Sequence, residues 1–87
     1  MAVKPTAARF THEPNPMPDA VRRALVQRRL VQAYERRPAY QRNDYLGWIA
    51  RARREETRQK RLAQMLDELE RGDAYMNMAW RPRVPVR

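Results

Sequence analysis

Residues Glu55 to Gly72 read EETRQKRLAQMLDELERG. Leu62, Met65, Leu66 and Leu69 recur in this stretch at i, i+3, i+4 and i+7, the spacing of one helical face. Glu55 and Glu56 stand where the partial positive charge of a helix N-terminus favours carboxylates. Glu56/Lys60 and Asp67/Arg71 are i, i+4 pairs with the acid first, the favoured order. Gly72 follows the last periodic residue, where helices commonly turn into left-handed backbone that glycine adopts at little cost. The spacing predicts a helix over 55–71 with one buried stripe, and hence a partner for that stripe.

Upstream, Tyr45, Trp48, Ile49 and Ala52 repeat the same spacing, and Leu46 widens the face. A second helix is expected from somewhere in 39–43 to about residue 53. Asn43 or Asp44 suits its N-cap, since a short polar side chain accepts an orphan N–H. Gly47 costs about 1 kcal/mol against alanine there and allows close approach by another helix. A first helix is expected from Pro18 and Asp19 to Arg36 or Arg37, because Pro38 forces its predecessor out of helical geometry. The fold class is all-α: a small three-helix bundle with Tyr45, Trp48, Ile49, Leu62, Met65, Leu66 and Leu69 at its centre.

The flanks differ in composition. Residues 1–17 carry Pro5, Pro14 and Pro16 and one aromatic, Phe10. Closely spaced prolines favour extended backbone, so 1–17 reads as a flexible arm. Tyr75, Met76, Met78 and Trp80 are too apolar for a solvated tail, and 75–80 is expected to pack back on a thin bundle. The helical domain is therefore placed at 18–80, and 81–87, with Pro82, Pro85 and three arginines, reads as a disordered basic tail.

Composition removes several chemistries. The 87 residues include no cysteine and one histidine, so thiol catalysis, thiolate zinc and a Ser-His-Asp triad have no residues to use. The 2 glycines are far apart, so no phosphate-cradling loop is present. The pairs Glu55/Glu56 and Asp67/Glu68/Glu70 stand where exposed helix charges are ordinary, whereas acid–base work needs a carboxylate in a cleft. A non-enzymatic, monomeric protein without cofactor or metal is expected. No apolar run approaches the ~18 residues of a membrane span. MAVKPTAARFTHEPNPMP lacks the apolar centre of a secretory signal, which points to the cytoplasm.

The net charge is +9, built from 17 arginines and 2 lysines against 10 acids. Most of it falls on the first two expected helices. Arg22, Arg29 and Arg36 are spaced by seven and would form one stripe on a continuous helix, opposite Ala20, Ala24, Val31 and Tyr34. Arg51, Arg53 and Arg54 crowd the end of the second helix, and Arg58 and Arg61 follow. Such a face suits an anionic partner: an acidic protein, an acidic lipid surface or nucleic acid. The plainer reading is a solvated polar face. No aromatic alternates with these arginines in sequence as a base-stacking platform requires. A helix-turn-helix reading fails because Glu55 and Glu56 would set carboxylates against phosphates. Nucleic-acid binding is the alternative function, expected to be weak and indifferent to sequence.

The run RNDYLGWIARARREETRQKRLAQMLDELERGDAYMNMAW resembles the helical module of the bacteriocin-protection, YdeI or OmpD-associated (OmdA-type) family. Tyr45, Trp48-Ile49, Ala52-Arg53, Glu56-Thr57-Arg58, Arg61 and Gly72 carry the resemblance. Pro18-Asp19 and Ala24-Leu25 match its start, and Arg53 stands where lysine is usual. The resemblance implies a bacterial helical interaction module linked to envelope stress, peptide-antibiotic tolerance or porin association, with no catalytic residues to carry over. The label hints at the periplasm. Arg53, Thr57, Arg58 and Arg61 have the chemistry to hold a phosphate or carboxylate. Glu56 and Thr57 suit organisation of the corner between the second and third helices through N-terminal capping and ion pairs, the reading that the short connection favours.

Overall fold

The computed structural model describes residues 15–81. The expected arm up to residue 14, Phe10 included, and the tail from residue 82 lie outside the described residues. Four helices follow in order: α1 (Asp19–Gln27), α2 (Val31–Glu35), α3 (Ala39–Ala50) and α4 (Glu55–Arg71). A two-stranded antiparallel hairpin closes the chain, β1 (Ala74–Tyr75) and β2 (Met78–Ala79), with Tyr75 opposite Met78. The all-α class stands, with this hairpin as the form in which the C-terminal segment packs back.

The first expected helix is two helices. After Gln27 the backbone turns left-handed at Arg29, with φ 60°. The Leu30 N–H then reaches Leu25 O at 2.8 Å and the Arg29 N–H reaches Val26 O at 3.1 Å. This is a Schellman ending, with arginine in the position usually held by glycine. Burial supplies the reason. At about 100° per residue, a continuous helix would place Leu30 and Tyr34 roughly 140° and 180° away from Leu25. The break lets Val21, Leu25, Leu30 and Tyr34 all enter one core. The apolar face expected to lie opposite the arginines is corrected accordingly: Ala20 is exposed, while Val21 and Leu25 are buried.

Pro38 stands just before α3, in extended geometry at φ −58°, ψ 151°. Asn43 and Asp44 are therefore interior residues of α3 and not its N-cap. The helix stops at Ala50 with Arg51 as its cap, three residues before the expected end. α4 takes the expected bounds, and Gly72 closes it with φ 81°.

Tyr45 and Met65 are fully buried, joined by Leu46, Ile49, Leu66 and Leu69 from the facing stripes of α3 and α4. Each such side chain contributes about 1.5–3 kcal/mol by leaving water. Trp48 and Leu62, expected at the centre, are only partly buried at its margin. The Trp48 ring carries the Arg61 guanidinium on one face, 5.2 Å from its centre, so that face meets a cation and not an apolar neighbour. Residues 15–17 are tied to the bundle. The Asn15 N–H donates to Asn43 Oδ1 at 2.6 Å, its Nδ2 donates to Asn43 O at 3.0 Å, and Met17 packs on the core.

Candidate functional site

The residues expected to bind anions fall into two groups. Arg22 lies on α1, Arg29 in the turn after it and Arg36 just after α2. All three are exposed, but the helix break removes the common axis that would align them as a stripe. The structure does gather Arg53, Thr57, Arg58 and Arg61 at the α3–α4 corner, in unequal roles. Arg61 donates to Trp48 O at 2.6 Å and lies over the Trp48 ring, 5.2 Å from its centre. Arg58 donates to Ala52 O at 3.1 Å and pairs with Glu55. Arg61 thus satisfies a carbonyl in the last turn of α3, the negative end of a helix, where cations are favoured, and Arg58 satisfies one on the connection that follows. Thr57 is half-buried in the first turn of α4, and Arg53 is exposed on the connection.

Sequence reasoning missed the most highly organised polar centre. Glu68, read as an exposed helix charge, is 2% exposed. Its Oε1 accepts from the Tyr45 hydroxyl at 2.5 Å and from the Met76 N–H at 2.8 Å. Its Oε2 accepts from the Asn77 N–H at 2.8 Å and from Gln64 Nε2 at 3.0 Å. Burial pushes the carboxyl up, but the hydrogen bonds from Tyr45, Asn77, Met76 and Gln64 outweigh it and hold the group below the usual carboxylate range. Burial first, and then Glu68, push the Tyr45 hydroxyl well above its ordinary value.

The hairpin turn explains two of these bonds. Met76 and Asn77 both have positive φ, 52° and 65°. A two-residue hairpin turn of this hand matches the strand twist. It also points both N–H groups the same way, onto one carboxylate. One signal in the sequence could have found the site: Glu68 is three residues from Met65 and one from Leu69, so it falls at the edge of the buried stripe and not opposite it.

Arg37 completes the centre. It is 4% exposed and donates to Glu68 O and to Gln41 Oε1, both at 3.0 Å. Trp80 covers it, with the guanidinium carbon 4.4 Å from the ring centre. Both tryptophans thus carry an arginine in space, although none alternates with them in sequence. The Tyr75 ring sits edge-on to Tyr45 and Tyr40, with centroids 5.4 and 6.1 Å apart. Its hydroxyl donates to Asp44 Oδ2 at 2.6 Å. Burial, followed by Asp44, pushes that hydroxyl above its ordinary value.

An open recess of about 360 Å³ lies beside Glu68, between Lys60, Asp67, Arg71 and Asn77. The Glu68 oxygens facing it are already occupied by four donors. Among the described residues no group of three or more His, Asp and Glu side chains is placed to hold a metal, and no helix is long and apolar enough to cross a membrane.

These features define a small helical domain with an arginine-rich surface and a C-terminal hairpin clasped by a buried carboxylate. The chain belongs to the OmdA family, described as bacteriocin-protection, YdeI or OmpD-associated, whose family model matches residues 16–72. That match covers all four described helices and ends at Gly72, before the hairpin. No curated protein and no solved structure matches the chain.

Proposed function

We propose that this protein is a non-enzymatic helical interaction module that docks an acidic protein partner on its arginine-rich surface. Membership of the OmdA family supports a setting of bacteriocin protection or an association with the cell envelope. One observation carries the reading. Among the described residues, Arg22, Arg29, Arg36, Arg51, Arg53 and Arg54 are exposed and form no ion pair. Arg28, Arg58 and Arg71, by contrast, are paired with carboxylates of the same chain. Unpaired surface cations cost little in water and attract anions over a Debye length of about 8–10 Å.

The test is a pull-down from the native host at low and physiological salt, with the charge-reversed variant R51E/R53E/R54E beside the natural chain. An acidic protein retained by the natural chain and lost by the variant is the expected result. Fluorescence anisotropy on unrelated DNA duplexes and a single strand runs alongside. Weak, sequence-indifferent binding that is largely gone by roughly 0.2 M salt accords with the reading. A nanomolar, sequence-selective DNA complex at physiological salt overturns it in favour of nucleic acid.

A further inference from the structure

We propose that residues 73–80 form an acid-released clasp, in which protonation of Glu68 frees the hairpin from α4 and bares Arg37 and Tyr45 while the helical core stays folded. The geometry at Glu68 supports this. Four donors converge on its two oxygens: the Tyr45 hydroxyl, the Met76 and Asn77 N–H groups, and Gln64 Nε2. An ionised carboxylate accepts all of them, whereas a protonated one brings a hydrogen that needs an acceptor of its own. The Tyr45 hydroxyl or a flipped Gln64 amide can turn to accept that hydrogen, at the loss of its own bond to the carboxylate, but the Met76 and Asn77 N–H groups can only donate and lose their charged acceptor. Two of the lost bonds belong to the turn, whose Met76 and Asn77 are non-glycine residues held in left-handed backbone.

The hairpin's apolar anchors are small: Ala74 is buried, and Tyr75 and Met76 are only partly buried against the core. Its polar ties to the bundle are the Tyr75–Asp44 bond and the stacking of Trp80 on Arg37. Met78 is more than half exposed. The buried cluster of α1 to α4 ends at Leu69, with Ala74 buried and Tyr75 and Met76 packed on it from the hairpin, so release uncovers its edge and leaves the contacts between the helices in place.

The charged and titratable groups around Glu68 come from each packed element. α3 presents Tyr45, the α2–α3 connection presents Arg37 on the Glu68 carbonyl, and the hairpin presents Tyr75, tied to Asp44. Lys60, Asp67 and Arg71 of α4 surround the adjoining recess. Because the bound carboxyl is held below the usual range, the hairpin stays docked at neutral pH. Release falls in acid, as pH drops through the depressed value. It adds to the surface a cation that is now 4% exposed and a tyrosine that is now 0% exposed.

The experiment is NMR on the full chain from pH 7 to pH 3. The amides of Met76 and Asn77 and the indole N–H of Trp80 should shift together at one acidic midpoint. The amides of Ile49 and Leu66 should keep their exchange protection through it. E68Q places an NH2 among the donors and should show the released hairpin already at pH 7. Exchange at Met76 and Asn77 should then be faster by on the order of tenfold to a hundredfold, the size expected for losing a hydrogen bond to a charged acceptor. Y45F keeps the ring and removes one donor, so its midpoint should move to higher pH. The proposal is overturned if hairpin and core are lost at one midpoint, or if the hairpin stays protected for as long as the core does. It also falls if folded E68Q keeps the Met76 and Asn77 amides protected. Should E68Q not fold, the titrations of the natural chain and of Y45F decide.

Discussion

A methyl group on Gly47 would come within 2.9 Å of Asn15 Nδ2, the group that bonds Asn43. Two effects of similar size oppose each other at this residue. Alanine favours the helix by about 1 kcal/mol over glycine. Displacing Asn15 loses hydrogen bonds worth about 0.5–1.5 kcal/mol each. Gly47→Ala alone should therefore change stability by less than about 1 kcal/mol. In an Asn15→Ala background it should stabilise by about 1 kcal/mol, because only the helix gain remains. A double-mutant cycle by urea denaturation reads this directly, and additive effects would refute the contact. The same scale separates the arginines. Arg61→Ala removes a donor from the Trp48 carbonyl and a cation from its ring, and should cost about 1–2 kcal/mol. Exposed Arg53→Ala should stay within about 0.5 kcal/mol. Chemical denaturation of both variants checks the contrast. Gly47 was legible in the sequence as a point of close approach, but its neighbour proved to be Asn15 and not another helix. Glu68 was legible as a residue at the edge of the buried stripe, but not as an anchor. A glutamate that meets four donors and one that meets water have the same local sequence, because three of those donors lie on other elements.

The break between α1 and α2 is the element-scale departure from the sequence reading. Helix ends are recognised from glycine, proline or a polar cap, and Gln27-Arg28-Arg29-Leu30 has none of them. The decision was tertiary: a Schellman turn brings Leu30 beside Leu25 in the core. The left-handed turn at Arg29 is held against its own residue type, since such backbone costs a non-glycine residue about 1–2 kcal/mol. Arg29→Gly should therefore stabilise the protein by about 1 kcal/mol, once the greater freedom of unfolded glycine is set against the relief. In a continuous helix the same change would destabilise by about 1 kcal/mol, so the sign of the shift in denaturation midpoint decides between the two structures. α4 shows the opposite case. Its start, stripe and glycine stop were all local signals that agree with one another, and the structure keeps its bounds. The two-residue hairpin escaped notice because Met76-Asn77 lacks the Asn-Gly or Gly signature of such turns. Its conformation is imposed by docking on Glu68.

For the molecule as a whole, the hairpin is a cover whose removal has a definite thermal and pH signature. Four short helices in 87 residues make a thin core, and Tyr75 and Met76 add partly buried apolar surface to it. Truncation after Gly72 leaves the matched family region intact but strips Trp80 from Arg37 and two N–H donors from Glu68. Losing charge-assisted bonds of about 1.5–3 kcal/mol each, partly repaid by water, should cost at least about 2 kcal/mol. For a domain of this size, 1 kcal/mol moves Tm by about 4–8 °C, so a fall on the order of 10 °C is expected. The pH profile should change as well. Glu68 is held below the usual carboxylate range in the folded chain, so its contribution is present above the unfolded value, near 4.3 for a glutamate, and is lost as pH falls through the folded one. The full chain should therefore lose Tm steeply below about pH 4, whereas the truncated chain, with Glu68 keeping only Tyr45 and Gln64, should lose less over the same interval. Scanning calorimetry of both forms between pH 3 and pH 7 measures the two slopes. An unchanged Tm after truncation, together with Trp80 emission like that of free indole in the full chain, would mean that the segment leaves the bundle in solution and serves as an interaction tail.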